Sequence, residues 1–301
     1  MGLVDLIRRL LGGGGSRRAG GADRGPGLGL MDLSRRLRLP ALDLQRVGVH
    51  YDEFTIPKRC GGARKILAPA PELKALQRRI LRRLLARLRV HPAAMGFERG
   101  RSIVTNARAH AGSAVVIHMD IRDFFGSTAT GRVREYFTAI GWGSEAVYLL
   151  LKWTMADGHL PQGAPTSPRL SNLVNYEMDT RLAALAESIG AVYTRYADDL
   201  VFSLRTDRRL SVTSAIRGTK AILDDYGYRL HLKRKLSIRR RHQRQTVTGL
   251  VVNDGVALPR ETRRRLRAVE HHLRTGRTAT LTPEQLAGWR ALMAMIERQR
   301  A

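Results

Sequence analysis

The sequence predicts an α+β fold in which short antiparallel strands are set among amphipathic helices, and three stretches carry that expectation. Residues 191–205, Ala-Val-Tyr-Thr-Arg-Tyr-Ala-Asp-Asp-Leu-Val-Phe-Ser-Leu-Arg, read as two strands rich in β-branched and aromatic residues, joined by a tight turn that bears Asp198 and Asp199. Residues 114–125, Ala-Val-Val-Ile-His-Met-Asp-Ile-Arg-Asp-Phe-Phe, open with a nearly continuous apolar run, as in a buried central strand, that ends in Asp120. Elsewhere apolar residues recur at helical spacing, as with Leu73, Leu76, Ile80, Leu84 and Leu88. Adjacent acids at a hairpin tip repel each other, so a fold that keeps them there gains from concentrated negative charge. If the two strands lie side by side, Asp120, Asp198 and Asp199 meet at one sheet edge as the oxygen donor set that Mg²⁺ prefers.

With 301 residues, 43% of them hydrophobic, the chain can bury a substantial core as one large domain or as two to three subdomains. Its formal charge of +27 is carried mainly by arginine and favours polyanionic partners through phosphate contacts. Cys60 is the single cysteine, which excludes an intrachain disulfide and a cysteine-rich zinc site and suits a reducing, cytoplasmic setting. No apolar run is long enough to span a bilayer and no secretory signal pattern opens the chain, so no membrane partner is expected.

Taken in order, residues 2–11 fit a short amphipathic helix, and the glycine-rich stretch after it reads as flexible, making residues 1–30 an appendage. Residues 51–69 read as a hairpin turning at Gly61-Gly62, with cations around the turn. Residues 71–90 form a helix with an apolar stripe and arginines between. Residues 131–160 read as helix, turn and helix. Pro161-Gln162-Gly163-Ala164-Pro165 is a loop, and Ser167–Ala186 a single long helix. Ser211–Gly227 fits another amphipathic helix and Thr246–Val252 a strand. Pro259–Leu273 is a helix closed by Gly276, and Thr282-Pro283-Glu284-Gln285 is a capping box that opens the last one.

Tyr196-Ala197-Asp198-Asp199, preceded by Asp-Ile-Arg-Asp-Phe-Phe at 120–125 and Pro-Gln-Gly-Ala-Pro-Thr-Ser-Pro at 161–168, resembles the motif set of reverse transcriptases. More narrowly the chain resembles the bacterial retron enzymes. Asn106, Ala107 and His110 match their Asn-Ala-x-x-His element, and Val247-Thr248-Gly249 matches a retron-specific triplet associated with recognition of the cognate RNA. The resemblance implies a right-hand polymerase fold with fingers, an antiparallel-sheet palm and a small helical thumb. The fingers and N-terminal helices would occupy 31–112, the palm 113–245, and the primer grip and basic thumb 246–301.

The same resemblance assigns roles. Asp120, Asp198 and Asp199 would hold two Mg²⁺ ions for in-line phosphoryl transfer. Lys58 and Arg64 match the positions that hold the triphosphate of the incoming dNTP; Lys65, on the other face of its strand, ranks lower. Phe125 matches a steric gate against the 2′-hydroxyl, with core packing as the competing role. Gln162 would support the nucleotide and Gly163 would allow close backbone approach. Lys235, with Lys233 as competitor, would protonate departing pyrophosphate, unless it is one cation among many on a basic strand. Val247, Thr248 and Gly249, with Arg263, Arg264, Arg265 and Arg267 of the thumb, would meet RNA. The implied partners are a cognate structured non-coding RNA, its RNA-linked DNA product primed from a 2′-hydroxyl, and an effector protein in antiphage defence. Two rival readings are another bacterial reverse transcriptase, of group II intron-like or abortive-infection type, and a catalytically silent RNA-binding scaffold.

Overall fold

The computed structural model describes residues 27–57, 61–231 and 236–299. They divide into two compact units, one built from residues up to His91 together with Asp123–Met178, the other from Pro92–Arg122 together with Asp179 onward. Neither unit is continuous in sequence.

In the first unit β1 (Tyr51–Pro57) and β2 (Ala63–Pro69) pair antiparallel from Tyr51 opposite Pro69 to Pro57 opposite Ala63. Gly61 and Gly62, at φ 85° and 84°, take the left-handed backbone this turn demands. Helices Leu30–Leu37, Pro71–Ile80, Thr130–Ala139, Ser144–Thr154 and Ser167–Val174 close a core around Leu37, Leu73, Ile80, Phe137, Leu150 and Trp153. Pro71 sits in the first helical turn, where a missing N–H costs nothing. The helix expected over 71–90 runs regularly only to Ile80 and then widens into a π turn, Leu81–Leu85, which lets Leu84 and Leu85 both bury. Arg169 caps that turn, donating to the carbonyls of Leu85, Ala86 and Leu88. At the start of the described chain Leu28 bridges Trp142, with its N–H on Gly141 O at 2.9 Å. The helix expected over 2–11 and the glycine-rich stretch lie outside the described residues.

The long helix expected from Ser167 to Ala186 is two, Ser167–Val174 and Tyr176–Ser188, parted at Asn175. Asn175 Nδ2 bonds back to Ser171 O at 2.8 Å, while Arg132 donates to Asn175 Oδ1 at 2.7 Å. A side chain that competes for backbone partners in this way weakens a helix interior.

The second unit is built on a four-stranded antiparallel sheet in the order β4-β5-β3-β6, formed by β3 (Val115–Asp120), β4 (Ala191–Tyr196), β5 (Asp199–Leu204) and β6 (Ser237–Arg240). Residues 93–95 run alongside β4, with Arg195 N–H on Ala93 O at 2.8 Å and Met95 N–H on Arg195 O at 2.7 Å. The strand expected over 246–252 is a minimal hairpin, β7 (Thr246–Val247) and β8 (Leu250–Val251), because Thr248 and Gly249 both take positive φ, 47° and 82°. Helices Ile103–Arg108, Arg260–Arg274 and Pro283–Arg298 join this hairpin and Val116 and Val201 of the sheet in one apolar cluster. The capping box at Thr282 and Gln285 forms as the sequence implies. No described helix is long and apolar enough to cross a membrane.

Candidate active site

Antiparallel register decides which side chains share a face. Asp120 of β3 lies directly opposite Asp199 of β5, and Asp199 directly opposite Tyr196 of β4. Directly opposed residues project to the same side. One row therefore holds Asp120, Asp199 and Tyr196, and the next row along that face holds His118, Val201 and Thr194. Asp120 is 4% exposed, whereas Asp199 at the hairpin end is open to solvent. Asp198 stands in the two-residue turn, half-buried, and its carbonyl accepts from Ile121 N–H at 2.9 Å.

That turn is under constraint. Its first residue, Ala197, has φ 57°, a left-handed conformation unfavourable for a residue with a Cβ. Gly96 lies against it so closely that a Cβ there would stand 2.9 Å from Ala197 N. Arg195 donates from Nη1 to Ala197 O at 3.2 Å. The guanidinium is fully buried and forked onto Asp179, Nε to Oδ1 at 2.8 Å and Nη2 to Oδ2 at 2.6 Å, and Tyr193 Oη donates to Oδ1 at 2.8 Å. Burial by itself lowers the Arg195 pKa, but the charge and hydrogen bonds of Asp179 outweigh it and hold the pKa above the ordinary value. Burial, then the Asp179 charge, pushes the Tyr193 hydroxyl well up.

The sequence reading did not single out Arg195, Asp179 or Gly96. The available signal was an arginine at a position where strand alternation calls for core, since a charge there needs a buried partner.

The Asn-Ala-x-x-His element packs on the face that carries Asp120 and Asp199. His110 is fully buried and bridges the two strands of the acidic hairpin, Nε2 to Thr194 Oγ1 at 2.7 Å and Nδ1 to Ser203 Oγ at 2.8 Å. Burial, with a smaller push from His118, lowers its pKa to about 3, so the ring is neutral and joins the two hydroxyls as one donor and one acceptor. Asn106 and Ala107 are also fully buried. The Val247-Thr248-Gly249 turn is tied to the same helix by Thr248 Oγ1 donating to Ile103 O at 2.9 Å. Val247 is buried in the apolar cluster, so Thr248 and Gly249 are the members of the triplet that present surface. Arg263, Arg264, Arg265 and Arg267 are exposed along the Arg260–Arg274 helix, with Arg265 stacked 5.8 Å from the Trp289 ring.

Arg64, Lys65, Phe125, Gln162 and Gly163 fall in the first unit. Arg64 is exposed on β2, and Lys65 is ion-paired with Glu53 at 2.8 Å. Phe125 is half-buried against that unit's core. Gln162 O accepts from Leu67 N–H at 2.9 Å, and Gly163, at φ 130°, lies so near β2 that a Cβ would meet Leu67 O at 2.6 Å. Lys58, Lys233 and Lys235 lie outside the described residues.

Asp120, Asp198 and Asp199 offer only oxygen donors, which fits a hard divalent cation. Among the described residues no group of three or more His, Cys, Asp or Glu side chains is gathered closely enough to hold a metal ion, these three acids included.

Residues 56–246 match the family described as reverse transcriptase (RNA-dependent DNA polymerase). The retron Mx162 reverse transcriptase of Myxococcus xanthus is 39% identical over 82% of this chain and 58% of its own length. The retron Mx65 enzyme of the same organism is 39% identical over 84% and 62%. The retron Ec86 enzyme of Escherichia coli is 33% identical over 89% and 84%. The chain thus spans about 58–62% of the two Myxococcus relatives. A solved apo telomerase from Candida tropicalis, truncated from its C-terminal domain, superposes with a TM-score of 0.47 at 12% identity, over 70% of this chain and 55% of that one. A family match across most of the chain, set beside this identity to three retron enzymes, places the protein in the bacterial retron reverse transcriptase family.

Proposed function

We propose that this chain is an RNA-directed DNA polymerase that copies a cognate structured non-coding RNA. The observation that carries the reading is the pairing of Asp120 with Asp199 across adjacent strands, with Asp198 next to them in the turn. A rigid sheet edge bearing oxygen donors is suited to phosphoryl transfer, where catalysis is mostly positioning and electrostatic stabilisation.

In this reading Asp120, Asp198 and Asp199 hold Mg²⁺. Two bound ions would supply Lewis acidity, lowering the pKa of the attacking hydroxyl and neutralising phosphate charge. His110 keeps β4 and β5 together without adding a charge beside the acids. Arg64 and Lys58 take the triphosphate of the dNTP, the planar guanidinium by paired hydrogen bonds and the ammonium as a point charge. Gln162 supports the nucleotide, Gly163 lets its loop close on β2, and Phe125 turns its ring against a 2′-hydroxyl. Lys235 or Lys233 donates the proton that leaves with pyrophosphate. Thr248, Gly249 and the exposed arginines of the Arg260–Arg274 helix bind RNA backbone. Fingers at 31–112, palm at 113–245 and thumb at 246–301 remain the functional division that goes with these roles.

The family adds finer expectations: priming from a 2′-hydroxyl inside the RNA, a branched RNA-linked single-stranded DNA, and a cytoplasmic antiviral role with an effector protein. Mg²⁺-dependent extension on the co-purified RNA tests the polymerase reading. Asp198→Asn or Asp199→Asn is expected to abolish DNA synthesis while RNA binding persists. Polymerisation that survives either change removes the metal role. Phe125→Ala is expected to raise ribonucleotide incorporation, and unchanged sugar discrimination removes the gate.

A further inference from the structure

Register orients two of the three acids and leaves the third to the turn. Asp120 and Asp199 are ladder partners, so the sheet aims their side chains. Asp198 belongs to no ladder, and its direction follows from the peptide planes on either side of it. The plane after it is tied by Ile121 N–H to Asp198 O at 2.9 Å. The plane before it carries the Ala197 carbonyl, which Arg195 Nη1 holds at 3.2 Å. That peptide needs holding, because Ala197 at φ 57° is in a conformation residues with a Cβ avoid.

Arg195 is well built for the task. It projects to the face opposite Asp120 and Asp199, is fully buried, and is fixed at both ends of its fork by Asp179, which Tyr193 also holds. Its own backbone is bonded on the outer side to Ala93 and Met95. A buried ion pair is a poor source of stability compared with apolar side chains of the same volume. A planar guanidinium that cannot rotate is instead a good ruler for one carbonyl.

We propose that Arg195, gripped by Asp179, is a positioning residue that fixes the peptide between Ala197 and Asp198 and so aims the Asp198 carboxylate at the cation it shares with Asp120 and Asp199. This rests on the polymerase reading, and the test separates the two. Asp179→Leu combined with Arg195→Met removes both charges at similar volume, which buried pairs tolerate, and Tyr193→Phe made with them keeps the Tyr193 hydroxyl from losing its acceptor. Arg195→Lys keeps the charge without the fork.

Each full chain is titrated with Mn²⁺ alone by electron paramagnetic resonance, with no RNA or nucleotide present. Each is then assayed for primer extension across Mg²⁺ concentration, with thermal melting as the check on folding. The paired variant is expected to melt close to the parent yet bind Mn²⁺ about tenfold more weakly, as when the outer support of a metal ligand is lost. Its Mg²⁺ requirement should rise and its kcat fall while KM for dNTP holds, with Arg195→Lys in between. Unchanged Mn²⁺ affinity in the folded paired variant overturns the proposal; if that variant does not fold, the same titration of Arg195→Lys decides it. A parent chain that binds Mn²⁺ but makes no DNA defeats the polymerase reading and leaves the Mn²⁺ comparison standing.

Discussion

His110 shows how one residue can hold a sheet together without chemistry of its own. Its folded-state pKa of about 3 lies below the ordinary 6.5 because burial penalises the imidazolium. As pH falls below 6.5, the unfolded chain takes up a proton that the folded chain refuses. The stability this neutral ring contributes is therefore full above about pH 6.5 and is lost progressively towards pH 3. His110→Gln, which keeps hydrogen-bonding atoms but does not titrate, is expected to flatten the dependence of the urea midpoint on pH across that window; parallel curves for the two proteins count against this account. Gly163 makes a different point. Alanine there would combine a φ of 130° with a Cβ 2.6 Å from a backbone oxygen that no rotamer can move. A loss on the order of 2–3 kcal/mol is expected for Gly163→Ala, read by urea denaturation.

At the scale of elements, the acidic hairpin is held from both faces. His110 ties its strands together on one, and the Arg195–Asp179 pair holds its turn from the other. The Asn106-Ala107-x-x-His110 element and the Val247-Thr248-Gly249 turn are likewise joined, since the Thr248 hydroxyl reaches the first turn of the Ile103–Arg108 helix. Thr248 keeps a positive φ of 47° despite its β-branch, so that hydrogen bond offsets strain in the backbone. The last helix depends on ordinary capping. Thr282 Oγ1 accepts from Gln285 N–H, and Gln285 Oε1 accepts from Thr282 N–H. Thr282→Ala should cost about 1 kcal/mol. Hydrogen exchange should show the loss as faster exchange in the first turn after Pro283, with the sheet unaffected.

For the molecule as a whole, the formal charge of +27 is the dominant fact. Charge of one sign destabilises a compact chain through self-repulsion, and a polyanion relieves it. If RNA binding neutralises six to ten phosphates, affinity should fall by about 10³–10⁵ between 50 and 200 mM salt. A filter-binding series over that range checks this, and a shallow slope would mean that most of the arginines face solvent. Asp198→Asn should leave the slope unchanged, because in the proposed reading it removes a metal ligand and no phosphate contact.

The sequence by itself determined the elements whose signals are local. A nearly continuous apolar run marked β3, β-branched and aromatic residues marked β4 and β5, paired glycines marked the turn before β2, and Thr282-Pro283-Glu284-Gln285 marked the start of the last helix. Asp198 and Asp199 also stand out locally, because adjacent carboxylates at a turn make no sense as packing. Only tertiary structure decided what depends on contact across long separations. Asn175 parts a helix whose pattern runs straight through it, where Arg132, far back in the chain, donates to the Asn175 side-chain Oδ1 and to the Val174 carbonyl. Val247 belongs to the core and Thr248 to the surface although they are neighbours, because Val247 ends a strand and Thr248 is the first residue of the turn that follows it. Arg195 has a place inside the protein only because Asp179 arrives from another element to meet it. Such pairings carry no periodicity of their own, and the free energy of a buried charge depends on a partner that local sequence does not specify.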